Sequence, residues 1–327
     1  MMGNYFGISD HYSTYLQGIV SMVSDGTNVN YKPAYTIVPT RDTNPRNYAT
    51  SQAAQADYTI MFMGNNGTTE GEESDAISSP SIGDRLSIDL PENQMSFFRR
   101  VARIRTPNNH LIVVLTGGSA VNLREIAAVA DAVIVAWYPG QEGGDALAEL
   151  LFGEKNFSGR LPITFPVTSD TLPAFDDYTM KGRTYKYMED NTMYPFGYGL
   201  SYGSSRYGDL TMLTKKPKLG NPVEVEIPVT NTGDVVRTET VQLYVSTPNA
   251  GAGAPFSQLS AFERVTLQPG ETHTVRFTVT PEQMKEFQED GSAKLVKGIY
   301  QITVGSAAPT PRSEELGAAL RSVSFKL

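Results

Sequence analysis

Two textures of apolar spacing divide this chain. Up to residue 166, apolar residues come in short continuous runs: "YTIMFMG" (58–64), "LIVVLTGG" (111–118), "AVIVAW" (132–137) and "LPITFP" (161–166). Runs of that length without polar alternation suit strands covered on both faces, as in a parallel sheet. Between them, residues 92–104, 122–130 ("NLREIAAVA") and 144–152 ("GDALAELLF") repeat at helical spacing. The order β-α-β-α-β-α-β predicts a layered α/β domain over residues 1–166, with a mostly parallel sheet and right-handed crossovers. Loops leaving the strand C-termini form the binding edge of such a sheet. The segments after "YTIMFMG" and after "AVIVAW" are therefore expected on one side.

From residue 209 to 327 the period changes to two. "PVEVEIPVTNTG" alternates Val223, Val225, Ile227 and Val229; "ETVQLYVS", "HTVRFTVT" and "GIYQITVG" repeat the pattern. Turn signals such as "NTGD" and "LQPGE" separate these stretches, which predicts an all-β, immunoglobulin-like sandwich. Residues 167–208 are rich in Pro, Gly and Tyr, which describes an ordered connector, because flexible Gly/Ser linkers lack so many rings. "GYGLSYG" lies there, but it departs from G-x-G-x-x-G and follows no strand, so it gives no nucleotide site.

Composition narrows the chemistry. The 327 residues carry 27 basic and 35 acidic side chains, a net charge of −8, and no basic run that would release counterions from a nucleic acid. Without cysteine there is no disulfide, thiolate nucleophile or Cys-ligated metal. His11, His110 and His273 stand far apart, and no metal-ligand spacing is visible, so neither metal nor cofactor is expected. No apolar stretch reaches the ~18 residues of a membrane span. The N-terminus has neither the basic nor the apolar region of a signal peptide. Chemistry here is expected to rest on carboxylates.

The candidates cluster in one loop. After "YTIMFMG" the chain reads "TTEGEESDAISSPSIGDRLSIDLP", with Glu70, Glu72 and Glu73 between Gly67 and Asp84-Arg85. Neighbouring carboxylates repel, and each raises the pKa of the next, so crowding is expected to favour a protonated member. Asp84 and Arg85 are expected to form a local ion pair that locks the loop's return. In "YPGQEGG" (138–144), Gly140, Gly143 and Gly144 suit a tight turn and a helix start, and Glu142 a capping role or a hydrogen bond to a ligand. Trp137, the single tryptophan, is either a core indole or a stacking platform.

Longer strings carry a resemblance. "AWYPGQEGGDALAELLFGEKNFSGRLPITFP", the connector "DDYTMKGRTYKYMEDNTMYPFGYGLSYG" and "LSAFERVTLQPGETHTVRFTV" resemble the C-terminal half of glycoside hydrolase family 3, ending in its fibronectin type III-like domain. The resemblance implies a retaining, exo-acting β-glycosidase that releases terminal β-linked glucose or xylose from oligosaccharides, usually periplasmic or secreted. It implies an Asp nucleophile on a preceding TIM barrel, and an acid/base Glu from the loop of the α/β domain. Family loops often read E-x-E, then Asp-Arg and Leu-Pro. On that pattern Glu72 is the acid/base, with Glu70 and then Glu73 as the other readings; the longer spacer "ESDAISSPSIGDR" leaves the choice among them open. Retaining hydrolysis needs two carboxyls about 5–5.5 Å apart, one attacking and one protonating the leaving oxygen.

The barrel, and a strand expected before "GNYFG", are not found in these residues. The chain is therefore expected to be a fragment, a shortened reading frame or half of a split enzyme, inactive alone and working with a barrel domain from the same gene or another chain. Loss of the strand is expected to expose an edge of the α/β sheet. The alternative is a non-catalytic carbohydrate-binding or scaffold module on the same fold.

Overall fold

The computed structural model describes residues 7–36, 48–70, 76, 78–79, 81–174, 176–288 and 290–327. The chain divides into two units, Met1–Lys155 with Val167–Asp170, and Asn156–Pro166 with Thr171–Leu327.

The first unit contains, in order, α1 (Tyr15–Met22), α2 (Tyr48–Gln55), β1 (Tyr58–Gly64), α3 (Glu92–Ile104), β2 (His110–Thr116), α4 (Arg124–Val129), β3 (Ala132–Val135) and α5 (Gly143–Leu151). The strands pair in parallel in the order β1-β2-β3. Only β2 is covered on both faces, with Leu111, Val113, Val114 and Leu115 all buried. β1 and β3 are the edges of the described sheet: Tyr58 is exposed, and β3 has no fully buried residue. Helix α3 turns Met95, Phe97, Phe98 and Val101 inward, while Arg99 faces out and bridges Glu92 and Glu125, each at 2.7 Å. A capping box starts α1: Thr14 accepts from the Gln17 amide, and the Gln17 side chain accepts from the Thr14 amide. Gly18 of α1 meets the start of α5 so closely that a Cβ there would lie 2.2 Å from the Gly144 carbonyl oxygen.

"LPITFP" does not join the parallel sheet. Only β4 (Phe165–Pro166) is extended, and it pairs antiparallel with β5 (Thr192–Tyr194) in the second unit. Two prolines deprive the run of ladder donors. Its first residue is taken up by the former connector: the Leu161 amide donates to Tyr198, and the Gly197 amide to Leu161.

The rest of the second unit is α6 (Thr184–Tyr187), β6 (Ser205–Tyr207), β7 (Thr211–Met212), β8 (Val223–Asn231), β9 (Arg237–Ser246), β10 (Gln258–Leu267), β11 (Thr272–Val279), β12 (Glu286–Phe287), β13 (Ala293–Lys294), β14 (Ile299–Gly305), α7 (Pro311–Glu315) and β15 (Leu320–Lys326). One sheet runs β10-β9-β14-β15; the other runs β11-β8-β6, with β7 beside β8. Their inward residues, among them Val225, Ile227, Leu243, Val275, Tyr300 and Ile302, form one core. β9 is buried on its other face as well, because the connector covers it. There the Gln242 side chain donates to the carbonyls of Gly197 and Ser306, and Tyr185 stacks on Phe196 and meets Tyr244 edge-on. The aromatic-rich composition of the connector thus reflects packing on a sheet.

Candidate functional site

The three parallel strands end on one side, and the segments leaving them converge there. β1 stops at Gly64, whose φ is +133° and where a Cβ would lie 1.9 Å from the Thr116 carbonyl oxygen. The Gln94 side chain of α3 accepts from the Gly64 N–H and donates to the Gly64 carbonyl, each at 2.8 Å. Beyond it, Asn66 organises a tight turn: its side chain accepts from the Thr68 amide, and its carbonyl from the amides of Thr69 and Glu70. That turn fixes the backbone of Glu70. The Ser78 amide returns to the Thr68 carbonyl at 2.8 Å.

Glu70 is gripped on both carboxylate oxygens. Oε2 accepts from the Gly118 amide at 2.9 Å and the Tyr138 hydroxyl at 3.0 Å. Oε1 accepts from the Ser119 hydroxyl and lies 3.3 Å from Nη2 of Arg85. Burial pushes the Glu70 carboxyl up, but the bonds from Ser119 and Gly118, the charge of Arg85 and the bond from Tyr138 outweigh it, and the net lies below the ordinary glutamate value. Glu70 is held as an anion. Burial, then the charge of Glu70 and the bond to it, push the Tyr138 phenol well above its usual range, so it stays a donor.

One expectation changes here. Arg85 does not form its ion pair with Asp84; its guanidinium turns to Glu70, and Nη2 also reaches Ser119 and the Ala120 carbonyl. The charge of Arg85 faces Glu70, and the expectation that crowding keeps one glutamate protonated falls on Glu72 and Glu73. Glu72 and Glu73 lie outside the described residues.

Trp137 sits two residues beyond β3, half-buried rather than in the core, with a left-handed backbone at φ +54°. For a bulky residue this conformation costs about 1–3 kcal/mol. It precedes Tyr138, the residue whose hydroxyl reaches Glu70. A Cβ on Gly118 would meet that Tyr138 ring at 3.3 Å. Sequence reasoning passed over Tyr138, Gly118 and Ser119, although "YPG" and "TGGS" stand at two strand ends where such contacts form. Gly140 turns at φ +79°, and Gly144 packs against the Thr14 carbonyl. Glu142 is the residue before α5 but makes no capping bond; it faces His11 at 3.9 Å. Ligand atoms of His11, Glu142 and Asp145 lie within 4.8 Å of one another in open solvent. The positive end of α5 works against a cation there. No helix among the described residues is long and apolar enough to cross a membrane.

Comparison with known proteins agrees with this layout. The profile of the glycosyl hydrolase family 3 C-terminal domain matches residues 1–202, and that of a fibronectin type III-like domain matches residues 239–308. A xylan 1,4-beta-xylosidase from Xylanibacter ruminicola is 38% identical over 73% of this chain and 27% of its own length. A periplasmic beta-glucosidase from Salmonella typhimurium is 28% identical over 91% of this chain and 42% of its own. The crystal structure of a beta-glucosidase from Bifidobacterium adolescentis superposes with a TM-score of 0.79 at 26% identity, covering 97% of this chain and 46% of that one. The chain therefore spans less than half the length of these relatives.

Proposed function

Since the chain belongs to glycosyl hydrolase family 3, as its C-terminal α/β domain followed by a fibronectin type III-like domain, we propose that it supplies the proton donor of a retaining, exo-acting β-glycosidase that releases terminal β-linked xylose or glucose from oligosaccharides. The donor is Glu72. The observation that carries this is the grip on Glu70: a general acid must hold a proton near neutral pH, and four partners hold Glu70 ionised. Of the three glutamates, Glu72 is the one that matches the second Glu of E-x-E, two residues past this anchor. Both matched regions are accounted for without a nucleophile domain, so the attacking Asp comes from a TIM barrel in the same protein or a second chain. By itself this polypeptide does not turn over glycosides. Trp137, half-buried beside Tyr138, is the substrate-binding residue of this reading. The periplasmic relative supports an exported protein.

The test is to assay aryl β-xylosides and β-glucosides with the chain alone and with a family barrel domain added. Hydrolysis appears only in the mixture. There, Glu72→Gln lowers kcat/KM on phenyl glycosides by roughly 10²–10⁴-fold, the usual contribution of a general acid, and spares kcat/KM on dinitrophenyl glycosides, whose leaving group needs no proton, while loss of the general base slows their kcat. Sugar binding without rescued hydrolysis identifies a binding module instead.

A further inference from the structure

The grip on Glu70 involves more than an acid loop needs in order to exist. The carboxylate collects donors from three distant stretches: Arg85 at the return of its own loop, Gly118 and Ser119 after β2, and Tyr138 after β3. Oε2 accepts two hydrogen bonds, and Oε1 accepts one and faces the charge of Arg85. Arg85 is likewise shared, with Nη2 tied to Ser119 and to the Ala120 carbonyl as well as to Glu70. The two ends of the segment between Glu70 and Arg85 are therefore joined to one another and to both neighbouring strand ends. Resting on the assignment of Glu72 as proton donor, we infer that Glu70 and Tyr138 are positioning residues: with Arg85 and the Gly118–Ser119 turn they form a clamp that fixes where the donor meets the glycosidic oxygen.

The clamp explains two otherwise costly features. Trp137 adopts a left-handed backbone immediately before Tyr138, and a Cβ at 118 would crowd the Tyr138 ring at 3.3 Å. Both serve the delivery of one hydroxyl to Glu70. A half-buried, multiply bonded carboxylate is also stiffer than a lone ion pair, because each donor restricts a different direction of motion.

The experiment uses Tyr138→Phe, which removes one hydroxyl and keeps the ring, and Glu70→Gln, which keeps the shape and removes the charge. In the chain itself, hydrogen exchange is followed at the Gly118 amide, which donates to Glu70, and at the Ser78 amide, which closes onto Thr68. Both amides are expected to exchange about 10-fold faster in the variants through local opening, with the global melting temperature little moved. In the barrel-supplemented assay, both variants are expected to lose about 10- to 100-fold in kcat/KM on phenyl glycosides, the scale set by small misplacements, with the dinitrophenyl kcat/KM unchanged. Azide, which attacks the glycosyl-enzyme in place of base-activated water, is expected to raise the kcat of Glu72→Gln on dinitrophenyl glycosides but not that of Glu70→Gln. Unchanged exchange in both variants overturns the inference, as does azide rescue of Glu70→Gln. A defective Glu72→Gln beside normal Glu70→Gln and Tyr138→Phe kinetics sinks the clamp alone. Normal Glu72→Gln kinetics sinks the donor assignment, and the inference with it.

Discussion

Arg160 and Glu239 meet inside the second unit, Nη2 to Oε1 at 3.1 Å, where the Glu239 side chain is fully buried. Arg237 reaches the other oxygen at 2.7 Å, and the hydroxyls of Ser205 and Tyr207 complete the shell. A sandwich edge thus holds one carboxylate between two guanidinium groups that are themselves almost fully buried. Glu239→Gln keeps the volume but leaves two buried cations facing a neutral amide. Breaking such a pair costs about 3–5 kcal/mol. Urea unfolding of the second unit is expected to show a loss of that size, and a loss under about 1 kcal/mol would mean that water reaches the cluster.

The same cluster sets a pH response. Burial pushes the Glu239 carboxyl up, but the charges of Arg160 and Arg237 and the bonds from Arg237 and Ser205 pull it below its ordinary value of 4.5. A carboxyl that is more acidic folded than unfolded binds fewer protons in the native state, so stability rises with pH across that window. Its contribution is complete above about 4.5, the unfolded value, and is lost as pH falls through the lower folded value. Melting temperatures measured from pH 6 down to pH 3 should drop less steeply in Glu239→Gln than in the parent chain. Parallel profiles would assign the acid sensitivity to other carboxylates, Glu70 among them.

Where period and chemistry coincide, the sequence is readable. Val223, Val225, Ile227 and Val229 alternate in the sequence and are all fully buried in β8, because a strand with one solvated face has no other arrangement. "LIVVLT" reads as a central strand and is one. "LPITFP" has the same apolar texture but lies elsewhere, since its partners are residues 192–198, which no local pattern announces. The candidate site divides the same way. Crowded glutamates after a strand mark the loop, but the partners of Glu70 lie 48, 49 and 68 residues along the chain, and only the closing of a parallel sheet brings them together. Arg85 next to Asp84 suggests a local pair for the same reason that it fails: sequence neighbours are visible, and spatial ones are not.

Within the sandwich core, burial separates costly from cheap substitutions. Leu243 of β9 is fully buried among the core side chains, whereas Phe262 of β10 is 62% exposed despite its greater size. Leu243→Ala removes transfer energy and leaves a cavity, a loss of about 2–5 kcal/mol. Phe262→Ala is expected to stay within about 0.5 kcal/mol, as for other surface positions. Chemical denaturation of the two variants in parallel tests the pair; similar losses would mean that Phe262 is covered in solution.

In α1, two effects compete at one residue. Replacing Gly18 by Ala would favour the helix by about 0.8–1.0 kcal/mol on intrinsic propensity. The added methyl, however, would lie 2.2 Å from the carbonyl oxygen and 2.5 Å from the carbonyl carbon of Gly144. Neither atom belongs to a side chain that can rotate away, so α1 or the start of α5 has to shift, and overpacking of this kind costs about 1–3 kcal/mol. The packing term wins, and Gly18→Ala is expected to lower the melting temperature of the first unit. Val20→Ala, at a half-exposed position on the same helix, is the control and should change stability by no more than about 0.5 kcal/mol. Thermal unfolding followed by circular dichroism decides between the two terms: a stabilised Gly18→Ala would show that the helices separate readily and that their contact does not hold the unit together.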